Sequence, residues 1–178
     1  GWWLNRVYPF NDADHILLYQ PGEFEDYQLG ANRSRITSAV ITGIYMLGDN
    51  FSLKGNIKGD KEARRRAKEV ATNIEINDIA RLGQSFYPVE GYLASAPNKP
   101  ETQFMLQTEE CVYLAVFNFN KEESLNGSVD FERLGIDSTV SLSVKELWTS
   151  EFSISEDEKI HYNVPPQDVR VYKIQNNN

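Results

Sequence analysis

The chain has 178 residues, 40% hydrophobic and 12% aromatic, a composition that supports one good core or two small ones and excludes a wholly disordered polypeptide. Its net charge of −8 and pI near 4.8 exclude a general affinity for nucleic-acid backbones, which needs a basic face. No apolar run approaches the roughly 18 residues that cross a bilayer, so no membrane partner is expected, and the Trp-rich start containing Arg6 does not read as a signal peptide.

The chain opens on GWWLNRVYPFNDADHILLY. At its centre Asn11, Asp12, Ala13, Asp14 and His15 form an acidic loop gripped between apolar segments. Two carboxylates beside an imidazole are a candidate site, because sites tend to sit on loops held by a rigid scaffold. Asp and Asn also favour turns by bonding their own backbone, and the residues alone leave both readings open. Pro21, Gly22, Glu23, Glu25 and Asp26 mark a polar loop over residues 20–30.

Beyond it, the spacing of Ile36, Ala39, Val40 and Gly43 predicts a helix with one buried face, capped by Asn32 or Ser34 and stopped at Gly43. The apolar run 44–47 follows, the pattern of a strand covered on both faces, ended by Gly48, Asp49 and Asn50. Asp60 is expected to cap a second helix. Ala63, Ala67, Val70, Ala71 and Ile74 form its inner stripe, while Lys61, Arg64, Arg65, Arg66 and Lys68 lie mostly on a solvated face. A last helical piece over 77–82 ends at Gly83.

The order strand or loop, helix, strand, helix signals parallel α/β construction. Two strands with two helices cannot close a barrel or make a stable open sheet, so these residues are expected to be the tail of a longer α/β domain. The small-residue and proline stretch ASAPNKP at 94–100 has the character of a domain linker. The expected division is therefore an incomplete α/β part over 1–95 and an all-β domain over 96–178. In the second part, short β segments are predicted at 102–107, 111–119, 128–131, 139–148, 159–164 and 169–174. Val140, Leu142 and Val144 alternate with polar neighbours, as in a strand with one face in a core. Such a series suggests an antiparallel sandwich or barrel of about 80 residues. Cys111 cannot form an internal disulfide and falls in an apolar run, where it packs as a small hydrophobe. It leaves the compartment open, and a periplasmic or secreted location is compatible with the chain.

Strong chemical motifs are absent. There is no phosphate-cradling Gly-rich loop, no Cys pair for zinc and no His-Glu-x-x-His helix, so neither a metal nor a cofactor is expected. Asp12 and Asp14 begin like a calcium loop, but Leu17 stands where that loop needs glycine. His161 falls in a predicted strand and reads as a surface or hydrogen-bonded residue, and no Gly-x-Ser-x-Gly turn raises a catalytic triad. Paired carboxylates are the best lead. Asp12, Asp14 and Asp49 all follow apolar segments, and in a (β/α)8 barrel acids at two neighbouring strand ends would share one mouth.

As a whole, WWLN…NDADHILLY, SRITSAVITGIYMLGDNF, VYLAVFNF and VKELWTS resemble the carboxyl-terminal part of α-galactosidase-like (melibiase) glycoside hydrolases. The resemblance covers nearly the whole chain. It implies an α/β plus all-β fold: the last βα units of a (β/α)8 TIM barrel followed by a C-terminal antiparallel β-sandwich. Asn11 to Asp14 match the loop after the seventh strand, with Ala13 where the family usually has proline, and Gly48, Asp49 and Asn50 match the end of the eighth. By this mapping Asp14 is a sugar-binding acid, His15 a wall of the pocket, Asp12 a residue that shapes and hydrogen-bonds the loop, and Asp49 a barrel-mouth candidate.

The resemblance also implies an absence. Retaining enzymes of this kind use two aspartates roughly 5 Å apart and a covalent glycosyl intermediate, and both come from earlier strands. No catalytic residue is therefore expected in this chain, whose partners would be a carbohydrate substrate, of terminal α-galactoside type, and the missing N-terminal part of the barrel. The alternative is a non-catalytic carbohydrate-binding or structural β-sandwich module, resting on Tyr113, Trp148, Tyr162 and Tyr172. Alternation turns most of these rings at least partly inward, and residues 1–91 are βα material that a free-standing module would not carry.

Overall fold

The computed structural model describes residues 7–8, 14–20, 22, 28–53, 58–91, 100–137, 142–155 and 157–176. The chain forms two compact units, Gly1–Ser85 and Phe86–Asn178. The division falls earlier than the expected one after residue 95. Strand β1 (Tyr87–Pro88) pairs antiparallel with β2 (Gln103–Gln107), so a backbone ladder already holds residues ahead of the proline stretch in the β unit.

In the first unit, helix α1 (Leu29–Ile41) buries Ile36, Ala39, Val40 and Ile41. It starts before the expected cap. Asn32 lies inside the helix, fully buried, and its Oδ1 accepts from Arg35 Nη1 at 2.8 Å, so the amide serves a neighbouring turn instead of the helix end. Gly43 ends the helix as expected: its φ of +73° is the left-handed region that glycine enters without a steric cost, and its N–H donates to the Val40 carbonyl at 3.0 Å.

The apolar run 44–47 is only partly the strand its sequence suggests. Leu47 makes a parallel bridge with Ile16, closed by Ile16 N–H to the Met46 carbonyl at 3.0 Å and Gly48 N–H to the Ile16 carbonyl at 2.9 Å. Met46 is exposed, so the run is not covered on both faces.

Helix α2 (Lys58–Val70) contains Asp60 in its first turn, which makes Asp60 a helical residue rather than the expected cap. Its buried face is Ala63, Arg66 and Val70. This reverses two expectations: Arg66, placed on the solvated face, is 1% exposed, and Ile74, placed in the inner stripe, is 72% exposed. Ile74 belongs to the next helix, α3 (Ile74–Arg81), which begins ahead of the expected residue 77. Asn73 caps it, its Oδ1 accepting from Ile76 N–H at 3.0 Å, and this new start turns Ile76 and Ile79 inward.

The second unit is antiparallel throughout. Strands β3 (Val112–Phe117), β4 (Leu125–Asp130), β5 (Leu142–Glu146), β6 (Phe152–Ile154), β7 (Lys159–Val164) and β8 (Val169–Asn176) follow β2. They form a six-stranded sheet in the order β1-β2-β3-β8-β5-β6 and a two-stranded sheet β4-β7. Met105, Leu114, Val116, Val144 and Ile174 from the larger sheet pack with Val129, Ile160 and Val164 from the smaller in one apolar cluster, as a sandwich requires. β1 and β6 escape the sequence reading because two and three residues are too short to show alternation. Cys111 is buried, as expected of a small hydrophobe.

Asn118, just past β3, ties the two sheets. Its Nδ2 lies within hydrogen-bond distance of the Glu123 carbonyl at 2.8 Å and of the Val164 and Pro165 carbonyls at 3.0 Å, while its Oδ1 accepts from Asn120 N–H at 3.0 Å. These carbonyls lie at or just past the end of the β4–β7 ladder, and a buried carbonyl without a donor is costly.

Candidate functional site

The acidic loop and the Gly48–Asp49 step do meet. The parallel bridge sets residue 16 beside residue 47, and the His15 imidazole lies directly against Gly48, where a Cβ would clash with its Cδ2 and Cγ. Glycine is what admits the histidine. Asp14 is 99% exposed at the side chain and His15 48%. Asp14 Oδ1 accepts from the His15 backbone N–H at 3.0 Å and stands 3.6 Å from His15 Nδ1. Asp12 lies outside the described residues.

Asp49 is differently placed. One oxygen accepts from Leu18 N–H at 2.8 Å and the other from Tyr19 N–H at 3.0 Å. Each oxygen thus accepts from a backbone amide, so this carboxylate holds segment 16–19. The parallel register explains the choice: with 16 level with 47, residue 49 comes level with 18, whereas Asp14 and His15 precede the bridge. The two acids therefore do not stand at equivalent ends of two paired strands.

Arg66 completes the hold. Its Nη1 donates to the Leu18 carbonyl at 2.7 Å, its Nε to Glu62 Oε1 at 2.8 Å, and its guanidinium lies 5.0 Å from the centre of the Tyr19 ring. Arg65 donates to both Glu62 oxygens, at 2.7 and 3.0 Å. Hydrogen bonds first from Arg65 and then from Arg66 hold the Glu62 carboxyl down at about 2. Burial lowers the Arg35 pKa, the nearby Arg66 charge lowers it further, and Asp49 opposes both. The segment carrying Asp14 and His15 is thus anchored by a carboxylate on its amides and a guanidinium on a carbonyl. An exposed carboxylate on so fixed a backbone can accept hydrogen bonds from ligand hydroxyls without reorganising.

Sequence reasoning missed Arg66. A signal was present: Ala63, Arg66 and Val70 follow one another at spacings of three and four, which puts the arginine on the apolar face. His161 behaves as the surface residue it was expected to be, exposed, with Nε2 2.7 Å from Asp157 Oδ2. The aromatics of the sandwich are mostly withdrawn: Tyr172 is buried and Tyr113, Trp148 and Tyr162 are half-buried. Among the described residues no group of three metal-binding side chains converges, and no helix is long and apolar enough to cross a membrane.

A short parallel crossover around a helix, followed by an antiparallel two-sheet sandwich, defines the class of fold. Residues 106–174, within the second unit, match the family described as the alpha galactosidase C-terminal beta sandwich domain. The chain is similar to the carboxyl-terminal part of α-galactosidase-like proteins. Among solved structures, α-galactosidase I from Mortierella vinacea aligns over 90% of this chain and 38% of its own, with a TM-score of 0.66 at 14% identity. The isomalto-dextranase of Arthrobacter globiformis T6, solved with panose, aligns over 85% of this chain and 24% of its own, at 0.65 and 15%. For the α-galactosidase of Saccharomyces cerevisiae the figures are 85% and 44%, at 0.60 and 9%. At these identities the likeness establishes the fold, and the chain spans less than half the length of each of these proteins. Comparison with curated protein sequences gives no match.

Proposed function

We propose that this chain is the carboxyl-terminal portion of a retaining glycoside hydrolase acting on terminal α-galactoside-type sugars, in which residues 1–85 complete the mouth of a (β/α)8 barrel. The observation that carries the reading is the anchored segment itself: an exposed Asp14 beside His15, on a backbone held by Asp49 and Arg66, next to a parallel strand pair. Among the described residues the first unit has one parallel bridge, beside an exposed Met46, and six further βα units would cover it on both sides.

In this reading Asp14 accepts hydrogen bonds from sugar hydroxyls and His15 walls the pocket, with Asp12 shaping the loop. Asp49, past the C-terminal side of the bridge, positions that segment through the Leu18 and Tyr19 amides. The nucleophile and the acid/base, roughly 5 Å apart in a retaining enzyme, belong to upstream strands. Two measurements test this. The 178-residue chain alone should not hydrolyse a nitrophenyl α-galactoside, and Asp14→Asn in the polypeptide that includes the upstream strands should raise KM roughly tenfold or more, a loss of about 1.4 kcal/mol in binding. Hydrolysis by the 178-residue chain at an enzyme-like rate, abolished by Asp14→Asn, would overturn the reading.

A further inference from the structure

Gly48 is a glycine that its own backbone does not require. Its φ lies outside the left-handed region in which Gly43 sits, so an L side chain would be free to occupy the position but for one neighbour. That neighbour is His15, whose ring atoms Cδ2 and Cγ a Cβ at 48 would overlap.

Neither side can retreat. Gly48 N–H donates to the Ile16 carbonyl at 2.9 Å and Ile16 N–H to the Met46 carbonyl at 3.0 Å, which locks the two backbones at the bridge. Asp49, next in the chain, holds the Leu18 and Tyr19 amides. A clash at the tip of a long side chain is relieved by an outer torsion, but the place of Cγ is set by χ1 alone. A side chain at 48 would therefore drive His15 into another χ1 rotamer. Gly59 provides the contrast. It lies against the Tyr19 ring, at the far end of the same segment, and a Cβ there would stand 3.1 Å from Cε1, which a shift of a few tenths of an ångström relieves.

The rotamer shapes the candidate site. It leaves the imidazole half-exposed with Nδ1 3.6 Å from Asp14 Oδ1, and the same oxygen accepts from the His15 backbone N–H at 3.0 Å. Carboxylate and ring thus face solvent side by side on an anchored backbone. We infer that Gly48 is a positioning residue of this site: by lacking a side chain it selects the His15 rotamer, and through that rotamer the wall that a ligand meets beside Asp14. The positioning role rests on the proposed reading of Asp14 and His15 as ligand-facing; the rotamer selection does not.

The first measurement uses the 178-residue chain, in which Hα–Hβ and N–Hβ couplings give the His15 χ1 populations. One staggered well should dominate in the wild type. Gly48→Ala should move the population to another well, whereas Gly59→Ala should leave it in place. If Gly48→Ala also loosens the bridge, the Ile16 amide will exchange faster, and Gly48→Ala/His15→Ala should restore its protection because removing the ring removes the clash. The second measurement uses the polypeptide that includes the upstream strands. Gly48→Ala should raise KM for a nitrophenyl α-galactoside roughly threefold or more with kcat little changed, the pattern of lost uniform binding. The double substitution should restore protection without restoring KM, a split that a merely structural role would not produce. An unchanged His15 rotamer in Gly48→Ala overturns the inference. So does a changed rotamer with unchanged KM where Asp14→Asn still raises KM. If Asp14→Asn leaves KM unchanged, the mouth reading itself fails and the positioning role falls with it, while the couplings still decide whether Gly48 seats the ring.

Discussion

The Arg66 guanidinium donates to the Leu18 carbonyl at 2.7 Å across 48 residues of sequence, and both ends of the bond are buried. A charged donor on a buried carbonyl is stronger than a neutral one, and removing it strands the carbonyl. Arg66→Met keeps most of the apolar stem and should destabilise the first unit by about 2–3 kcal/mol. Arg66→Lys should recover less than half, because an ammonium cannot reproduce the planar fork that serves Leu18 and Glu62 together. Native-state hydrogen exchange over residues 16–20 will read both variants.

Asp49 predicts a local signature. Asp49→Asn leaves one acceptor oxygen for two amides, and Asp49→Ala leaves none, at a cost of about 1–3 kcal/mol for the alanine. The Leu18 and Tyr19 amides should exchange faster in the order wild type, Asn, Ala. Unchanged protection of both amides in Asp49→Ala would show that another group supports segment 16–19.

Glu62 makes the first unit sensitive to acid. Its folded pKa of about 2 lies below the ordinary 4.5, so the unfolded chain takes up a proton first as pH falls. The stabilisation is complete above about pH 5, is lost as pH falls through the range from 4.5 to 2, and is absent below. Glu62→Gln should therefore be less stable than wild type at pH 7 and should flatten the stability profile in that window. Chemical denaturation at a series of pH values measures it.

For the sandwich, the informative residue is Asn118. Asn118→Ala should cost about 1–3 kcal/mol by stranding the Glu123, Val164 and Pro165 carbonyls at the end of the β4–β7 sheet. Asn118→Asp should cost more, since a carboxylate cannot donate and would repel the Val164 and Pro165 carbonyl oxygens. Urea unfolding followed by Trp148 fluorescence distinguishes the two. Near-wild-type stability of Asn118→Asp beside a destabilised Asn118→Ala would show that Asn118 acts through its Oδ1 on Asn120 alone.

Several features of this chain were legible from residue order. The apolar runs of β3, β7 and β8 read as strands because alternation and turn residues are local properties, and Gly43 and Gly83 stopped helices for an equally local reason, their positive φ. The family resemblance of the second unit was legible too, because strand patterns such as VYLAVFNF carry it. Asn32 shows the limit: its short polar side chain reads as a cap, yet in the fold it is buried one turn inside a helix beside Arg35. Ile74 and Arg66 exchanged their expected environments because a new cap at Asn73 reset the helical phase and a distant carbonyl offered the guanidinium a buried partner.

The candidate site divides in the same way. Asp14 and His15 were recognisable as a polar pair between apolar segments, since that contrast is written in adjacent residues. The role of Asp49 as an anchor of Leu18 and Tyr19 was decided by the parallel register, which brings together groups 30 and 31 residues apart. The β6 edge with its exposed Phe152 likewise depends on pairing, because only the strand order leaves that edge open. The sequence by itself determined which segments bury apolar faces and where the chain turns, as these follow from each residue's own hydrophobicity and backbone freedom. Which polar group meets which was settled by tertiary structure, because a hydrogen bond depends on distance and direction between atoms that the chain order keeps far apart.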